Sequence, residues 1–367
     1  MRDTIFSPSF GNRPRQIVGR DKLIEKLARG LESAPGSRER SVVILGQRGT
    51  GKTVLLWELA DLAERLDYVV ATPTIVSEGM LERVVEKIQD AGEEHVRQDS
   101  RHISGGNIGV LGFSAGLQFT EVVQETKSAQ HKLQQLARKL NEYGKGLLIL
   151  VDELQANSSD VKKLVIAYQE MIGEGLDVAL IMAGLPGAVS ATLSDKVLTF
   201  LNRARKVTLP PLAFSDVDAY FMQSFKELGI DIEPELRRNA ASAVNGSPYL
   251  LQLVGHNIVS YSGDSGMVDE AILREAVDSA IHDFKNDICK TSLSALSDMD
   301  VSFLKAVAKL DSPAKMNDIS NLIGKSSDYT QKYRTRLLDA GIIEAPARGM
   351  VSIAVPYLED YLTESEG

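Results

Sequence analysis

The sequence has few of the residues that secreted or metal-binding proteins use for stability. Its 367 residues include one cysteine, Cys289, which excludes an internal disulfide, and only five histidines. No histidine pairs with Cys289 at the spacing of a zinc site, so we expect no structural zinc. No apolar run approaches the ~20 residues that a membrane helix needs. These absences predict a protein of the reducing cytoplasm without a membrane partner.

Basic residues are also in the minority. The chain has 41 Lys and Arg against 50 Asp and Glu, a net charge of -9. This balance argues against a chain coated in nucleic acid but leaves a local basic patch open. Apolar residues make up 43% of the chain, and its length is enough for two or three domains, each with a core.

Strand and helix patterns alternate up to residue 212. Apolar runs at residues 41–46, 68–75 and 146–155 predict strands, as do later runs at 177–186 and 205–212. Helical patterns lie between them, from Lys52 to about Arg65, from Ser77 as an N-cap, and from about Ser128 to Tyr143. This alternation predicts an α/β fold, with a parallel sheet covered by helices on both faces.

Two further regions and an insertion complete the predicted organisation. After residue 212 four helical patterns indicate a compact helical lid, and a third unit begins at about residue 291. A glycine-rich stretch at about 102–120 alternates and predicts a β-hairpin. It either packs on its own domain or forms an edge for a partner. The predicted divisions are an arm (1–18), an α/β core (19–212), a lid (213–290) and a last unit (291–367).

The stretch "GQRGTGKT" predicts a phosphate-binding loop. It matches G-x-x-x-x-G-K-[ST] and lies between a predicted strand and a predicted helix, which is the context that the motif requires. Small residues let backbone N–H groups surround a phosphate, and Lys52 places a charge against the β- and γ-phosphates. The Thr53 hydroxyl is suited to Mg²⁺. The predicted nucleotide-binding residues of the loop are Gly46, Gln47, Arg48, Gly49, Thr50, Gly51, Lys52, Thr53 and Val54.

A second motif supplies carboxylates. In "LLILVDEL" five apolar residues lead to Asp152 and Glu153 at the end of a predicted buried strand. Asp152 is placed to hold the Mg²⁺ shell, and Glu153 to orient or deprotonate an attacking water. Together the two motifs predict an ATPase that uses ATP and Mg²⁺, with Lys52 and Glu153 as catalytic residues.

The pair of acids resembles the Walker B element of the AAA+ and STAND ATPases. "IVGRDKLIEKL" is similar to an N-terminal box of the initiator and helicase-loader branch of AAA+ proteins. That resemblance implies that Ile17, Val18 and Arg20 lie near the adenine. "NGSPYLLQLVG" resembles the helix start where many AAA+ proteins carry a sensor arginine, but here a G-x-P form typical of STAND proteins takes its place. It implies that the lid helix packs on the nucleotide through Pro248 and Tyr249.

The segment "FLNRARKVTLPPL" resembles the one that carries the arginine finger. The candidates are Arg203 and Arg205, which would act on a neighbouring subunit of a homo-oligomer; alternatively they belong to a solvated turn. The sensor strand ends in Ala183-Gly184, where the AAA+ pattern prefers a polar residue. Loss of one preorganised donor typically costs ~100–1000-fold in rate, so we expect slow turnover. The alternative is a switch or scaffold with little turnover.

The last unit resembles a winged helix-turn-helix. Its pattern predicts three helices followed by a β-hairpin, and the third helix would enter a major groove of duplex DNA. Lys332 and Arg336 lie four residues apart on one face, and Arg348 lies at the tip of the wing. These three residues are the predicted DNA contacts. Residues 293–367 carry eight basic and eleven acidic residues, so docking to a partner protein stays open.

Overall fold

The structure is a computed structural model that describes residues 3, 5–9, 12–71, 74–103, 128–155, 157–196 and 198–364. In the helix that ends at Ile103, side chains are described only as far as residue 92. Apart from the end of this helix, the predicted hairpin insertion at about 102–120 lies outside the described residues. Within the described part of the chain, no helix combines the length and the apolar character needed to cross a membrane.

A parallel sheet dominates the first half of the chain. Its described strands are β1 (Ser41–Leu45), β2 (Tyr68–Val70), β3 (Thr74–Ile75), β4 (Gly146–Leu154), β5 (Val178–Gly184) and β6 (Arg205–Thr208). They lie in the order β2-β4-β5-β1-β6, with β3 beside β4, and pair in parallel. The predicted parallel sheet is confirmed. The run at 68–75, which predicted one strand, is divided between β2 and β3.

Helices cover both faces of this sheet. They are α1 (Asp21–Leu31), α2 (Lys52–Glu64), α3 (Met80–Ile103), α4 (Ala129–Glu142), α5 (Ser159–Gly173) and α6 (Pro186–Leu193). Val43 of β1 packs in a core with residues of α3, α4 and α5. Its neighbours Val42 and Ile44 pack in the opposite core with α1 and α2. Burial on both faces explains why the strands are continuous apolar runs.

Two predicted helix starts have different outcomes. Ser128 caps α4, because its hydroxyl accepts a hydrogen bond from the backbone N–H of His131 at 3.3 Å. The prediction that a helix opens on Ser77 is wrong, since α3 begins at Met80. There the carboxylate of Asp160, a residue distant in sequence, accepts from the Met80 N–H at 2.9 Å. Sequence-local capping rules do not contain such a partner.

The chain beyond the sheet forms a helical region. Its described helices are α7 (Phe214–Leu228), α8 (Pro234–Ala243), α9 (Pro248–Tyr261) and α10 (Glu270–Phe284). Two short parallel strands, β7 (Asp231–Ile232) and β8 (Met267–Val268), were not predicted. A π-helical segment (Lys285–Cys289) and α11 (Lys290–Ser294) continue α10 toward the last unit.

The last unit combines helices with a small antiparallel sheet. Its described elements are α12 (Asp298–Ala308), β9 (Ala314–Lys315), α13 (Met316–Ile323), α14 (Ser327–Asp339), β10 (Ile343–Glu344), β11 (Met350–Ile353) and α15 (Leu358–Glu364). The strands lie in the order β10-β11-β9. The predicted helices and hairpin occur in this order, whereas β9 and α15 were not predicted. One apolar core, which includes Phe6, Phe221 and Phe303, joins the N-terminal arm, the lid and this unit.

Candidate functional site

The glycine-rich motif forms the loop between β1 and α2. Gly49 and Gly51 have backbone φ angles of 76° and 85°, in the left-handed region that other residues rarely adopt. A Cβ atom on Gly46 would lie 2.5 Å from Oγ1 of Thr50, so a larger residue does not fit there. Gly51 is immediately followed by α2. The loop therefore leads directly into the positive end of a helix, which is the geometry that binds phosphate.

Lys52 is partly buried in this loop. Its Nζ donates to the carbonyl oxygens of Gly46 at 2.9 Å and Gln47 at 2.6 Å. Burial lowers the pKa of Lys52 to about 8, although the nearby carboxylates of Asp152 and Glu153 act in the opposite direction. A phosphate placed here would favour the charged ammonium and replace bonds to two neutral carbonyls.

Thr53 and Asp152 bring the two sequence motifs together. The Thr53 hydroxyl donates to Oδ2 of Asp152 at 2.6 Å, across 99 residues of sequence. Asp152 is buried, with 3% of its surface exposed, so its carboxylate is held in one place. A hydroxyl and a carboxylate side by side suit Mg²⁺, which usually takes one or two protein oxygens together with phosphate oxygens and waters. Among the described residues, no group of three or more His, Cys, Asp or Glu side chains could hold a metal ion without such help.

Glu153 occupies an irregular position in β4. The register between β4 and β5 shifts between Val151 and Leu154, and Glu153 has a φ of 51°. This conformation is rare for a residue with a side chain and is found preferentially at functional sites. The backbone N–H of Glu153 donates to Oδ1 of Asp152 at 2.8 Å. As a result Asp152 is buried whereas its neighbour Glu153 is exposed on the wall of a cavity.

This cavity has a volume of about 710 Å³. Its walls come from the N-terminal arm, the phosphate loop, the end of β4, the end of β5 and the helical region. The structure brings together these predicted site residues on its surface: Ile17, Val18, Arg20, Arg48, Gly49, Thr50, Gly51, Lys52, Thr53, Val54, Asp152, Glu153, Pro248 and Tyr249. Gly46 and Gln47 do not line it, but their carbonyls hold Lys52.

The helical region closes directly on the phosphate loop. A Cβ atom on Gly49 would lie 3.4 Å from Cβ of Tyr249, and one on Gly51 would lie 3.9 Å from Cβ of Pro248. The Tyr249 hydroxyl donates to Oδ2 of Asp287 at 2.6 Å, which places the π-helical segment on the same wall. Sequence reasoning missed Asp287, because its partner lies 38 residues earlier on a different helix.

The N-terminal arm connects the helical region to the cavity. Phe6 packs against the aromatic rings of Tyr220, Phe221 and Phe225, and the backbone N–H of Ser7 donates to Gln252 Oε1 at 2.8 Å. The next residues line the cavity. The sequence predicted an adenine-proximal role only for residues 17–20 of this region. The sequence does contain a signal for the packing of Phe6, because the apolar pair Ile5-Phe6 precedes a polar stretch.

Arg20 is buried rather than free in the cavity. Its guanidinium donates to the backbone carbonyl of Pro210, and 6% of the residue is exposed. Burial lowers the pKa of Arg20, while the charge of Asp216 acts in the opposite direction. Arg20 therefore joins the start of α1 to the segment that follows β6.

The predicted arginine fingers lie away from this cavity. Arg205 begins β6 and forms an ion pair with Glu39. Arg203 is exposed at the end of a 3₁₀ helix (Thr199–Arg203) and makes no ion pair with any residue that the structure describes. The end of β5 contributes Gly184 and Leu185 to the cavity. A Cβ atom on Gly184 would lie 2.8 Å from Cβ of Leu154, so no polar side chain fits at this position.

The predicted DNA contacts have unequal surroundings. Lys332 and Arg348 are exposed. Arg336 donates from Nε to Oδ1 of Asp300 at 2.9 Å and pairs with its second oxygen as well. Asp300 is 1% exposed and, with Ser297, forms a capping box at the start of α12. Arg336 therefore neutralises a buried carboxylate, and its contact with DNA stays a prediction.

Comparison with known families identifies the core. Residues 16–181 match the family described as AAA ATPase domain. This part of the chain is therefore similar to AAA ATPase domains. Residues 286–362 match a family described as a domain of unknown function (DUF8462). A search of curated proteins finds no match.

Solved structures resemble this chain over nearly its whole length. The Walker-type ATPase paby2304 of Pyrococcus abyssi has a TM-score of 0.68 at 19% identity, covering 97% of this chain and 99% of that one. The Aeropyrum pernix ORC2 protein, solved as ADPNP-ADP complexes, has 0.64 at 15%, covering 98% and 97%. Cdc6p from Pyrobaculum aerophilum has 0.50 at 15%, covering 97% and 96%. These similarities confirm the α/β P-loop NTPase fold.

Proposed function

We propose that this AAA-type chain binds ATP with Mg²⁺ in the 710 Å³ cavity and hydrolyses it slowly. The observation that carries the proposal is the hydrogen bond of 2.6 Å between Thr53 and Asp152. It joins the end of the phosphate loop to the strand-end carboxylate beside the partly buried Lys52, and these are the groups that Mg²⁺ and a triphosphate require. That the Aeropyrum pernix ORC2 protein was solved with ADPNP and ADP supports the class of ligand.

Each side chain then has a distinct task. Lys52 neutralises the β- and γ-phosphates, Thr53 and Asp152 hold Mg²⁺, and Glu153 orients or deprotonates the attacking water. The exposure of Glu153 on the cavity wall supports this division, because a base must reach the water that it activates.

The adenine belongs at the apolar end of the same cavity. Ile17 and Val18 lie on one wall and Pro248 and Tyr249 on another. Enclosure by the arm and the helical region would let nucleotide binding draw these two parts together, as in a STAND-like lid.

Turnover should be slow because the cavity lacks two catalytic aids. The end of β5 offers Gly184 and Leu185 instead of a polar side chain, and no arginine follows Pro248 at the start of α9. An arginine from a neighbouring subunit would restore ~10³-fold or more. Arg203 is the better placed of the two predicted fingers, since Arg205 is paired with Glu39. A homo-oligomer is therefore part of the proposal.

A direct test of the site is the Lys52→Ala variant. It removes the charge that faces the phosphates, so we expect MgATP affinity measured by calorimetry to fall at least about 100-fold. Lys26→Ala is the matched control, because Lys26 is an exposed lysine of α1. Unchanged ATP affinity in Lys52→Ala would contradict the phosphate assignment.

We further propose that the last unit is a winged helix that binds double-stranded DNA in response to nucleotide. Support comes from the order of its elements and from the exposure of Lys332 on α14 and Arg348 between β10 and β11. The excess of acidic residues in this unit favours a second candidate, a nucleotide-dependent scaffold in which the unit docks a protein. The single buried cysteine, Cys289, suits a cytoplasmic location for either.

A salt series separates these two functions. If the unit binds duplex DNA, Lys332→Ala and Arg348→Ala should each lower the slope of log affinity against log salt by about 1. Asp328→Ala, which alters an exposed acid on the same helix, should leave the slope unchanged or raise it. Absence of salt-dependent binding by the parent protein, with either ATP or ADP, would favour the scaffold.

A further inference from the structure

Three cationic side chains line the nucleotide cavity among the described residues: Arg20, Arg48 and Lys52. Two of them already have oxygen partners, since Arg20 donates to Pro210 and Lys52 to the carbonyls of Gly46 and Gln47. Arg48 is exposed and makes no ion pair or hydrogen bond with the residues that the structure describes. It is therefore the cation of this wall that is available to a ligand.

The position of Arg48 in the loop is close to the reacting end of a triphosphate. Arg48 lies between Gln47, whose carbonyl binds the Lys52 ammonium, and Gly49, which contacts the helical region. Arg48 and Lys52 line the same cavity, so the two cations act on the same space. Asp152 and Glu153 line the same cavity, but neither is bonded to Arg48, and two cations on one wall favour the binding of a highly charged anion together with Mg²⁺.

Arg48 also borders a second cavity, of about 420 Å³. Its opposite wall comes from the last unit and includes Ser297, Asp300 and Arg336. Arg48, Leu185 and Thr291 line both cavities, so the phosphate loop forms the partition between the nucleotide and the last unit.

The last unit touches the ATPase core beside this partition. A Cβ atom on Gly187 would lie 2.5 Å from the carbonyl oxygen of Asp339 at the end of α14. One on Gly341 would lie 3.0 Å from Cγ of Pro186 and 3.4 Å from Nε2 of Gln47. Close backbone contact leaves little room for the loop to move without moving the turn after α14.

We propose that Arg48 recognises the γ-phosphate in cis and conveys its presence to the last unit across the shared wall. This role rests on the proposed ATP site and deepens it. The free guanidinium supplies a charge at the γ-phosphate that the apolar end of β5 does not. When the Arg48 side chain turns toward the γ-phosphate of ATP, it leaves the second cavity. ADP has no γ-phosphate, so the shared wall differs in shape and charge between the ATP-bound and ADP-bound protein.

The first test is the ratio of ATP to ADP affinity, measured by calorimetry with Mg²⁺ on the full chain. Arg48→Ala should lose about 10- to 100-fold in ATP affinity, the range for hydrogen bonds to charged groups, and stay within about 2-fold in ADP affinity. Arg48→Lys should recover part of the ATP affinity, because it keeps the charge. Lys26→Ala, which removes an exposed cation of α1 outside both cavities, should leave the ratio unchanged.

The outcomes separate this inference from the function beneath it. If the parent protein binds neither nucleotide, the proposed function fails. If the parent binds both and Arg48→Ala weakens them equally or not at all, the γ-phosphate role is overturned while the ATP site stands.

The second test follows the last unit itself. Hydrogen exchange of residues 297–342 should differ between ATP-bound and ADP-bound parent protein, and Arg48→Ala should abolish that difference at saturating nucleotide. A difference that persists in Arg48→Ala, or that is absent from the parent, would overturn the link to the last unit.

Discussion

The nucleotide cavity and the last unit both carry charged residues, but they use them in opposite ways. In the cavity, Lys52 is held by neutral carbonyls and Glu153 is exposed, so each is ready for a partner from outside the protein. In the last unit, Arg336 is bound to the buried carboxylate of Asp300. Lys52 and Glu153 are available for a ligand, whereas Arg336 holds two helices of the last unit together.

This difference decides what a mutation should report. Removal of a charge from the cavity should alter binding or rate and leave the fold intact. Removal of Arg336 should alter the fold first, because a buried carboxylate without its cation is costly. DNA binding is therefore better tested with Lys332 and Arg348 than with Arg336.

The largest effect is expected for Glu153→Gln. This variant keeps the shape of the side chain but removes the base, so turnover should fall about 100- to 10,000-fold. ATP affinity and thermal stability should stay close to those of the parent, because Glu153 is exposed. Phosphate release and calorimetry measure the rate and the affinity.

Asp152→Asn is the matched comparison. Asp152 accepts hydrogen bonds from Thr53 and from the Glu153 N–H, so its loss should mainly weaken the Mg²⁺-dependent part of binding. Parental turnover in both variants would show that the acids at the end of β4 have no part in hydrolysis.

A smaller effect, on stability, is expected for Arg336→Ala. It leaves Asp300 buried with Ser297 as its only hydrogen-bond partner among the residues that the structure describes. About half of the arginine side chain (54%) is exposed, so solvent moderates the loss. We expect about 1–3 kcal/mol of local destabilisation, measured by native-state hydrogen exchange of α12 and α14.

Two variants make this prediction specific. Lys332→Ala should change the same exchange free energies by less than about 0.5 kcal/mol, since Lys332 is an exposed residue of the same helix. Addition of Asp300→Asn to Arg336→Ala should recover part of the loss, because the residue left buried is then uncharged. Equal effects of Arg336→Ala and Lys332→Ala would remove the contrast between the two regions.

The contrast also explains which predictions the sequence could support. Lys52, Thr53 and Asp152 occupy fixed places relative to a strand end and a helix start, so sequence spacing alone was enough to predict that they lie close together. Arg336 was predicted to contact DNA from its position on α14 alone. That prediction takes no account of α12, the helix that supplies Asp300. For the same reason Asp287 and Phe6, whose partners are distant in sequence, could not be assigned.

The smallest expected effect is the pH dependence of ATP binding. In the nucleotide-free protein burial lowers the pKa of Lys52 from 10.5 to about 8, and a bound phosphate would raise it again. Binding above pH 8 therefore requires uptake of a proton, and ATP affinity should fall by a factor approaching tenfold per pH unit as pH rises beyond about 8.

The lowered pKa of Lys52 has the opposite consequence for folding. The unfolded chain binds more protons than the folded protein between pH 8 and 10.5, so the contribution of Lys52 to the free energy of unfolding increases as pH rises over this range. Calorimetry in buffers of different ionisation enthalpy should detect the uptake in the parent and in Lys26→Ala but not in Lys52→Arg, whose guanidinium stays charged. If the parent takes up no proton at pH 9, Lys52 is already charged in the protein without nucleotide, and phosphate binding does not change its protonation.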